Sequence, residues 1–332
     1  MLQYALFAPL ESQEDGSESE GGETEKEVEA TFELFDPQDE DAEPLLLLMR
    51  HSRIYTQLGL QPQQLRELAK VIAGQGNIGS IARAGVGPEG RSEAPVGLMT
   101  LLSCRQYPKA TEPIVSKILS LARAHASEEA AAKLGKLLRS ESTTSCDGAS
   151  KATKGKADTS ETRGETMTGL LIGCRLRNLP LEVAAEAAEA LAEDVKWSLE
   201  TPEMDEEERP WYRFTHVVGT ALIYRDAEAE QVTKKQKRGL GLGFVPAFAE
   251  LEQEVLAEGA EVAFAAPTNQ TMRFSAVPSE GGRDQEAGRT RVSVMKSLQE
   301  FLLVYAIPYD HFELNQRRVK QRLAVKASMG QL

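Results

Sequence analysis

The sequence predicts an α/β protein, one domain in which a mixed sheet is flanked by helices. Segments with strand-like and helix-like apolar spacing alternate along the chain, the order that produces a sheet covered by helices. Several apolar runs are nearly continuous, as in strands that are buried on both faces. The polar linkers lie inside this alternating pattern and do not divide the 332 residues into two units.

Seven segments are predicted to be strands because they are rich in aliphatic, aromatic and β-branched residues. The first alternates apolar and polar residues and ends at Asp36 and Pro37. The seven segments are Val28–Phe35, 77–83, 96–104, Thr168–Arg175, 211–224, 260–266 and 295–307.

Helices are predicted where apolar residues recur every three or four positions. Thr111 is the predicted cap of one helix, with Pro113 in its first turn, and Ser127 begins the next. The predicted helices are 44–58, a segment from Pro62 to the stop at Gly74, 111–126, 127–138, 181–199, 246–258 and 312–326.

Four segments are predicted to be disordered, because residues 11–27 and three internal segments hold almost no large apolar residues. An acidic tail covers 1–27, ahead of a folded domain at 28–326. Disordered insertions are expected near 140–166, 226–240 and 278–290.

The negative charge of the chain is concentrated near its amino terminus. Between Glu11 and Glu43 there are fifteen acidic residues and one basic residue, Lys26. This segment has a net charge of −14. The whole chain has a net charge of −13, so the remaining residues sum to +1. Such a segment repels nucleic acid and steers basic proteins towards it. The alternative is a solubilising tail without a specific partner.

The composition argues against several classes of protein. No apolar run reaches the ~18 residues that a membrane helix needs, and the amino terminus lacks the features of a secretory signal. Three cysteines without CxxC spacing predict a reducing compartment and no cysteine zinc site. The four histidines lack ligand spacing, and His216, on a predicted strand, is interpreted as structural. No metal, cofactor or catalytic residue is therefore expected.

One glycine-rich segment leaves an enzymatic alternative open. Arg238, Gly241 and Gly243 match the Q/R-x-x-G-x-G/A pattern that holds the pyrophosphate of acetyl-CoA in GNAT acetyltransferases. Backbone N–H groups can approach a phosphate there if a helix follows, and one is predicted from Pro246. Against this, the preceding predicted strand ends at Tyr224, far from the loop.

Two basic clusters have more than one interpretation. Lys234, Lys235, Lys237 and Arg238 form either a nuclear import signal or an ordinary solvated loop. A second cluster on the last predicted helix is weak evidence for RNA binding, and that helix could instead close back on the acidic tail. Its residues are Arg317, Arg318, Lys320 and Arg322.

Three blocks of the sequence resemble the BCCIP/BCP family. The first is the VEATFELFDP strand behind the acidic tail, the second is TGLLIGCRLRNLP before a helix, and the third is the closing IPYD segment. The matching residues are Phe32, Phe35, Asp36, Pro37, Gly169, Leu170, Leu171, Arg175, Asn178, Pro180, Ile307, Pro308 and Asp310. The chain departs from the family at Leu34, usually Phe, and at Cys174, usually Glu.

The resemblance implies a GNAT-like fold without the cofactor site and a non-enzymatic protein. A monomer is expected because nothing in the sequence demands a dimer. It also implies residence in the nucleus with shuttling to the cytoplasm. The expected role is chaperone or escort of a basic large-subunit ribosomal protein in ribosome biogenesis, with nuclear transport machinery as a second partner. No membrane and no sequence-specific nucleic acid is expected as a partner. The alternatives are an adaptor in DNA repair and cell-cycle control, and a GNAT-type acetyltransferase.

Overall fold

The computed structural model describes residues 2–6, 28–86, 90–139, 166–226, 240–276 and 294–328. Within these ranges the chain forms nine strands and eight α-helices. The strands are β1 Leu2–Leu6, β2 Val28–Phe35, β3 Ser80–Val86, β4 Gly90–Ser103, β5 Thr168–Arg175, β6 His216–Asp226, β7 Ala247–Phe248, β8 Val262–Ala276 and β9 Val294–Pro308. The helices are α1 Ala42–His51, α2 Arg53–Leu58, α3 Pro62–Gly74, α4 Pro108–His125, α5 Glu128–Leu138, α6 Leu181–Glu200, α7 Leu251–Leu256 and α8 Tyr309–Ser328.

All nine strands belong to one mixed sheet. Its order is β1-β2-β3-β4-β5-β6-β9-β8, and β7 pairs with the edge of β6. Only β5 and β6 are parallel among the described strands, and they pair over three residues, Thr168–Leu170 with His216–Val218. Beyond Leu170 these two strands separate and leave a crevice at the carboxyl end of β5.

Apolar side chains on the two sheet faces build two separate cores. Along β5, Leu170 faces the core formed with α1 to α5, and Leu171 faces the core formed with α6, α7 and α8. Successive residues of a strand point to opposite faces, so a near-continuous apolar run serves both cores. The predicted mixed sheet flanked by helices is confirmed.

Several predicted elements coincide with the structure, and others differ for local reasons. β2 and β5 begin and end where the apolar patterns do, and Ser127 Oγ caps α5 by accepting from Ala130 N at 3.2 Å. Thr111 is not a cap: α4 begins at Pro108, and Thr111 Oγ1 donates to the Tyr107 carbonyl at 2.9 Å. Pro108 occupies the first helical position, which proline favours, so α4 begins about one turn before the predicted start.

Three predicted elements are interrupted or partly replaced by another conformation in the structure. The helix expected at 44–58 is broken at Ser52 into α1 and α2, because Ser52 is extended with a ψ of 126°. The strand expected at 211–224 begins at His216, since Arg209–Tyr212 forms a 3-10 helix. The helix expected at 246–258 is instead the two-residue strand β7 followed by the short helix α7.

The tail expected at 1–27 contains one strand. Residues 2–6 form β1, antiparallel to β2, with Leu6 opposite Val28. The pairing corrects the expectation that the whole segment is disordered. The other predicted disordered residues, 7–27, 140–165, 227–239 and 277–293, lie outside the described residues.

Candidate protein-binding surfaces

The apolar residues of the family pattern hold the fold together. Phe32 on β2 is buried with Leu179 and Val183 at the start of α6. Leu170, Leu171 and Ile307 are buried in the two main cores. The role of these residues is core packing, which does not by itself identify a ligand-binding site.

Gly169 has a steric role. A Cβ atom there would lie 2.8 Å from Leu101 Cγ and 3.0 Å from Phe214 Cδ1. The chain therefore needs glycine where β5 passes these two side chains.

The remaining residues of the family pattern lie in turns and at the ends of helices and strands. Pro37 is buried, and Asp36 is exposed where β2 ends. Asn178 is exposed, and Pro180 occupies the cap position of α6. The other three residues occupy strand ends and a first turn: Phe35 stacks 5.7 Å below the Arg83 guanidinium, Pro308 ends β9, and Asp310 is exposed in the first turn of α8.

Arg175 is the one charged pattern residue with a buried partner. Its Nε lies 2.7 Å from Glu252 Oε1 and its Nη2 lies 3.2 Å from Oε2, a bidentate pair. Its Nη1 donates to the carbonyl oxygens of Leu176 and Leu179, both at 3.4 Å. The side chains are only 10% and 2% exposed, so each charge depends on the other for stabilisation.

The chain itself fills the crevice between β5 and β6. Ala249 N donates to the Leu222 carbonyl at 2.9 Å, which fixes β7 against β6, and the start of α7 then enters the gap. Glu252 binds Arg175 on one side, and Gln253 Oε1 accepts from Tyr305 Oη at 3.3 Å on the other. A cavity of about 20 Å³ remains beside them, room for a single water molecule.

Burial changes the acidity of a carboxyl group at the mouth of the filled crevice. Glu250 lies next to the Arg175–Glu252 pair. Burial and the Glu252 carboxylate both raise its pKa and Arg175 lowers it, which together place the pKa at about 7. Ligands of open α/β sheets bind outside the carboxyl ends of parallel strands. Here that place is occupied by protein.

The glycine-rich loop packs its apolar side chains against the core. Gly241 and Gly243 have positive φ angles of 71° and 77°, which turn Leu240, Leu242 and Phe244 towards the core. No helix begins at Pro246; the next helix is the six-residue α7. Arg238 lies outside the described residues, as do Lys234, Lys235 and Lys237.

The basic cluster on α8 is largely neutralised within the molecule. Arg317 pairs with Glu313 at 3.0 Å, Lys320 with Glu186 at 3.7 Å and Arg322 with Glu258 at 3.3 Å. Arg318 alone of the four has no ion pair among the described residues. The helix therefore offers little free positive charge to RNA phosphates.

Arg209 organises an acidic loop after α6. Its guanidinium donates to the carbonyl oxygens of Leu199 at 2.8 Å, Thr201 at 2.9 Å and Met204 at 3.3 Å. The Arg209 guanidinium is thus bound to backbone carbonyl groups, which give the loop a defined shape. Five exposed carboxylates project from it without a cationic partner among the described residues: Glu203, Asp205, Glu206, Glu207 and Glu208.

Trp197 lies on the last turn of α6, the helix that leads into this loop. Its ring is 48% exposed, and its carbonyl accepts from Thr201 N at 2.8 Å, which ties the helix end to the loop. We name Trp197 together with the five loop carboxylates the acidic-loop surface. The sequence alone assigned no function to the run Asp205–Glu208. The available signal was Arg209 directly after the run.

Among the described residues there is neither a membrane-spanning helix nor a metal-binding cluster. No described helix is long and apolar enough to cross a membrane. The described residues contain no cluster of three or more His, Cys, Asp or Glu side chains placed to hold a metal ion. His216 lies 3.8 Å from a Glu261 carboxylate, and burial lowers its pKa.

Comparison with known protein families covers the first two of the three sequence blocks. The sequence profile of the BCCIP family matches residues 27–242. No curated protein matches the chain. Among solved structures, the chain is similar to the crystal structure of BCP1 from Saccharomyces cerevisiae, at 14% identity and a TM-score of 0.48, over 92% of this chain and 93% of that chain. Since the profile spans more than half of the 332 residues, this chain belongs to the BCCIP family.

Proposed function

We propose that this protein is a non-enzymatic binding factor that escorts a basic ribosomal protein of the large subunit. It would act in the nucleus, shuttle to the cytoplasm with nuclear transport machinery, and mask its cargo until the cargo meets ribosomal RNA. Membership of the BCCIP family supports a BCCIP-type binding factor, and the cargo and compartment are our proposal.

The observation that carries the proposal is the acidic-loop surface. Arg209 holds the loop in shape, so five carboxylates without a cationic partner among the described residues are presented without a large ordering cost, and Trp197 is exposed on the preceding helix turn. Carboxylates pair with Lys and Arg, and an indole face binds the same cations. A ribosomal protein exposes such cations on its phosphate-binding face.

The filled crevice supports a role without catalysis. The place where an open α/β sheet binds a cofactor contains Glu252 and Gln253, and both are buried and hydrogen-bonded. Binding of acetyl-CoA there would require α7 to leave its site.

An affinity capture tests the proposal. The tagged full chain is incubated with eukaryotic lysate at physiological salt, and the bound proteins are identified by mass spectrometry. We expect selective recovery of one free large-subunit ribosomal protein without the rest of its ribosome. Recovery of repair or cell-cycle proteins only would reject the escort role in favour of an adaptor.

A pair of matched variants tests the surface. Glu206→Gln with Glu207→Gln should weaken binding of the purified ribosomal protein by about tenfold and lower its salt dependence. Glu128→Gln with Glu129→Gln removes the same charge from the exposed first turn of α5 and should leave the affinity within about twofold. Equal effects of the two pairs would reject the acidic-loop surface as the binding site.

A further inference from the structure

An open groove runs along the other side of the Arg175 region, and it has two chemically different halves. The apolar half has a volume of about 390 Å³ and lies between α1, β4 and the turn after β5. The cationic half has a volume of about 450 Å³ and lies between α2, β6 and β8. His51 and Leu176 line both halves, so the groove is continuous.

The apolar half contains two of the exposed large hydrophobic residues. Leu47 on α1 is 56% exposed, although its neighbours Leu46 and Leu48 are buried. Leu176 is 41% exposed, and Pro95 of β4 lies between the two in the wall of the cleft. Solvent contact of two neighbouring leucines in a concave site is typical of a docking surface.

The cationic half presents arginines that are already held in place. Arg53, which is 36% exposed, pairs with buried Glu300, binds Gln270 and donates to Tyr224 Oη at 3.2 Å. Arg175 is fixed by Glu252. Their carboxylate partners, Glu300 and Glu252, are buried, so both guanidinium groups are oriented before a ligand arrives.

Arg177 supplies the positive charge that the groove does not neutralise. It is exposed and makes no hydrogen bond or ion pair with any described residue. The turn that carries it is anchored, since Leu176 N donates to the Val96 carbonyl at 2.8 Å and Leu179 N donates to the Leu176 carbonyl at 3.1 Å. Arg177 also lies close enough to Tyr224 to influence the acidity of that phenol.

One carboxyl group opposes these arginines at the groove wall. Glu250 lines the cationic half. Burial raises its pKa to about 7, so near neutral pH a large share of it is uncharged and able to donate a hydrogen bond. The cationic half therefore favours an incoming carboxylate over an incoming cation.

We propose that this groove, from Leu47 through Leu176 to Arg177, docks a short segment of a partner protein that carries a large apolar side chain next to an acidic residue. The apolar side chain lies between Leu47, Leu176 and Pro95, and the carboxylate pairs with Arg177 and the exposed edge of Arg53. This partner is opposite in charge to the basic cargo and binds a separate surface, so the protein can hold both at once.

Selection of peptides tests the groove with defined probes. A phage library of random 12-residue peptides is selected on the immobilised full chain, and enriched peptides are labelled and measured by fluorescence polarisation. We expect them to share a large apolar residue within about four positions of Asp or Glu. Absence of enrichment, or enrichment of peptides without an acidic residue, would overturn the proposal.

Matched variants localise the binding. Leu47→Asp and Arg177→Glu should each raise the Kd of the enriched peptides by about tenfold or more. Leu314→Asp and Arg318→Glu change equally exposed residues of α8 and should have no effect beyond about twofold. A peptide whose acidic residue is changed to Lys should bind R177E better than the unaltered chain, an effect that misfolding does not produce. Equal losses in all four variants, or no rescue, would contradict the groove as the site.

Two other possible occupants of the groove, the acidic segment of the same chain and a second copy of the chain, are each tested separately. A synthetic peptide of residues 7–20 competes with the enriched peptides only if the chain binds its own acidic segment there. A dimer in sedimentation velocity that R177E abolishes would indicate a second copy. Either result would overturn docking of a partner.

Discussion

At the scale of single residues, Arg175 shows how a family-pattern residue acts through its partner. The bidentate contact with Glu252 ties β5 to α7, and both side chains are nearly inaccessible to water. A buried ion pair contributes little over an apolar pair of the same shape, but the loss of one member leaves a charge without a partner.

Arg175→Met should therefore destabilise the protein by about 3–5 kcal/mol in urea unfolding, because Glu252 stays buried and unpaired. The double variant R175M with Glu252→Gln should recover a large part of this loss. Additive losses in the double-mutant cycle would show that the two side chains do not stabilise each other.

Asp194 provides a pH-dependent test at the same scale. Its Oδ2 accepts from Gly79 N at 2.9 Å, and burial raises the pKa of its carboxyl to about 6 while that hydrogen bond opposes the shift. A carboxyl with a raised pKa binds more protons in the folded state than in the unfolded state. Its contribution to stability is thus present at low pH and is lost as pH rises from about 4 to 6.

Asp194→Asn should match the unaltered protein in stability at pH 4 and exceed it progressively up to pH 7. The amide is never charged, and its oxygen still accepts from Gly79 N. Thermal unfolding at a series of pH values measures the difference between the two proteins. A variant that loses relative stability as pH rises would contradict the sign of the shift.

At the scale of elements, the separation of β5 from β6 explains a segment that the sequence pattern assigned incorrectly. Past Val218 the edge of β6 needs new backbone partners, and Ala247–Phe248 supplies them as β7. The apolar periodicity of 246–258 predicted one helix. That pattern carries no information on the β6 backbone groups that need hydrogen-bond partners. Only six residues then remain helical.

The filled crevice predicts no response to acetyl-CoA. A ligand at 100 times its Kd would stabilise the folded state by about 2.7 kcal/mol, which thermal shift detects readily. We expect no change in Tm with acetyl-CoA at millimolar concentration, measured beside a GNAT acetyltransferase as a positive control. A saturable rise in Tm would restore the acetyltransferase alternative.

At the scale of the whole molecule, the strand ends that border residues 7–27 and the strand end that follows the acidic-loop surface lie at opposite ends of the sheet. Residues 7–27 join Leu6 to Val28, at the end where β5 finishes at Arg175. The acidic-loop surface precedes His216, which pairs with the first residue of β5. Eight residues of strand correspond to roughly 25 Å, more than twice the Debye length of about 8 Å at physiological salt. Fixed charges at the two ends of β5 are therefore largely screened from each other.

Deletion of residues 11–27 should slow association with the ribosomal protein by about tenfold at low salt and flatten its salt dependence, while dissociation stays unchanged. Stopped-flow mixing at several salt concentrations measures both rates. Removal of 149–165, a segment of the same length, is the control. An unchanged association rate at low salt would remove the steering role of the acidic segment.

The sequence alone determined the α/β class, the extents of β2 and β5, the cap of α5 and the family. Each of these depends on local apolar spacing, on a neighbouring side chain or on a residue pattern that is contiguous in the chain. The tertiary structure decided that Arg175 meets Glu252, that α7 fills the crevice, and that Leu47, Leu176 and Arg177 share one groove. Those contacts join residues far apart in sequence, and whether a charge is free or paired depends on them.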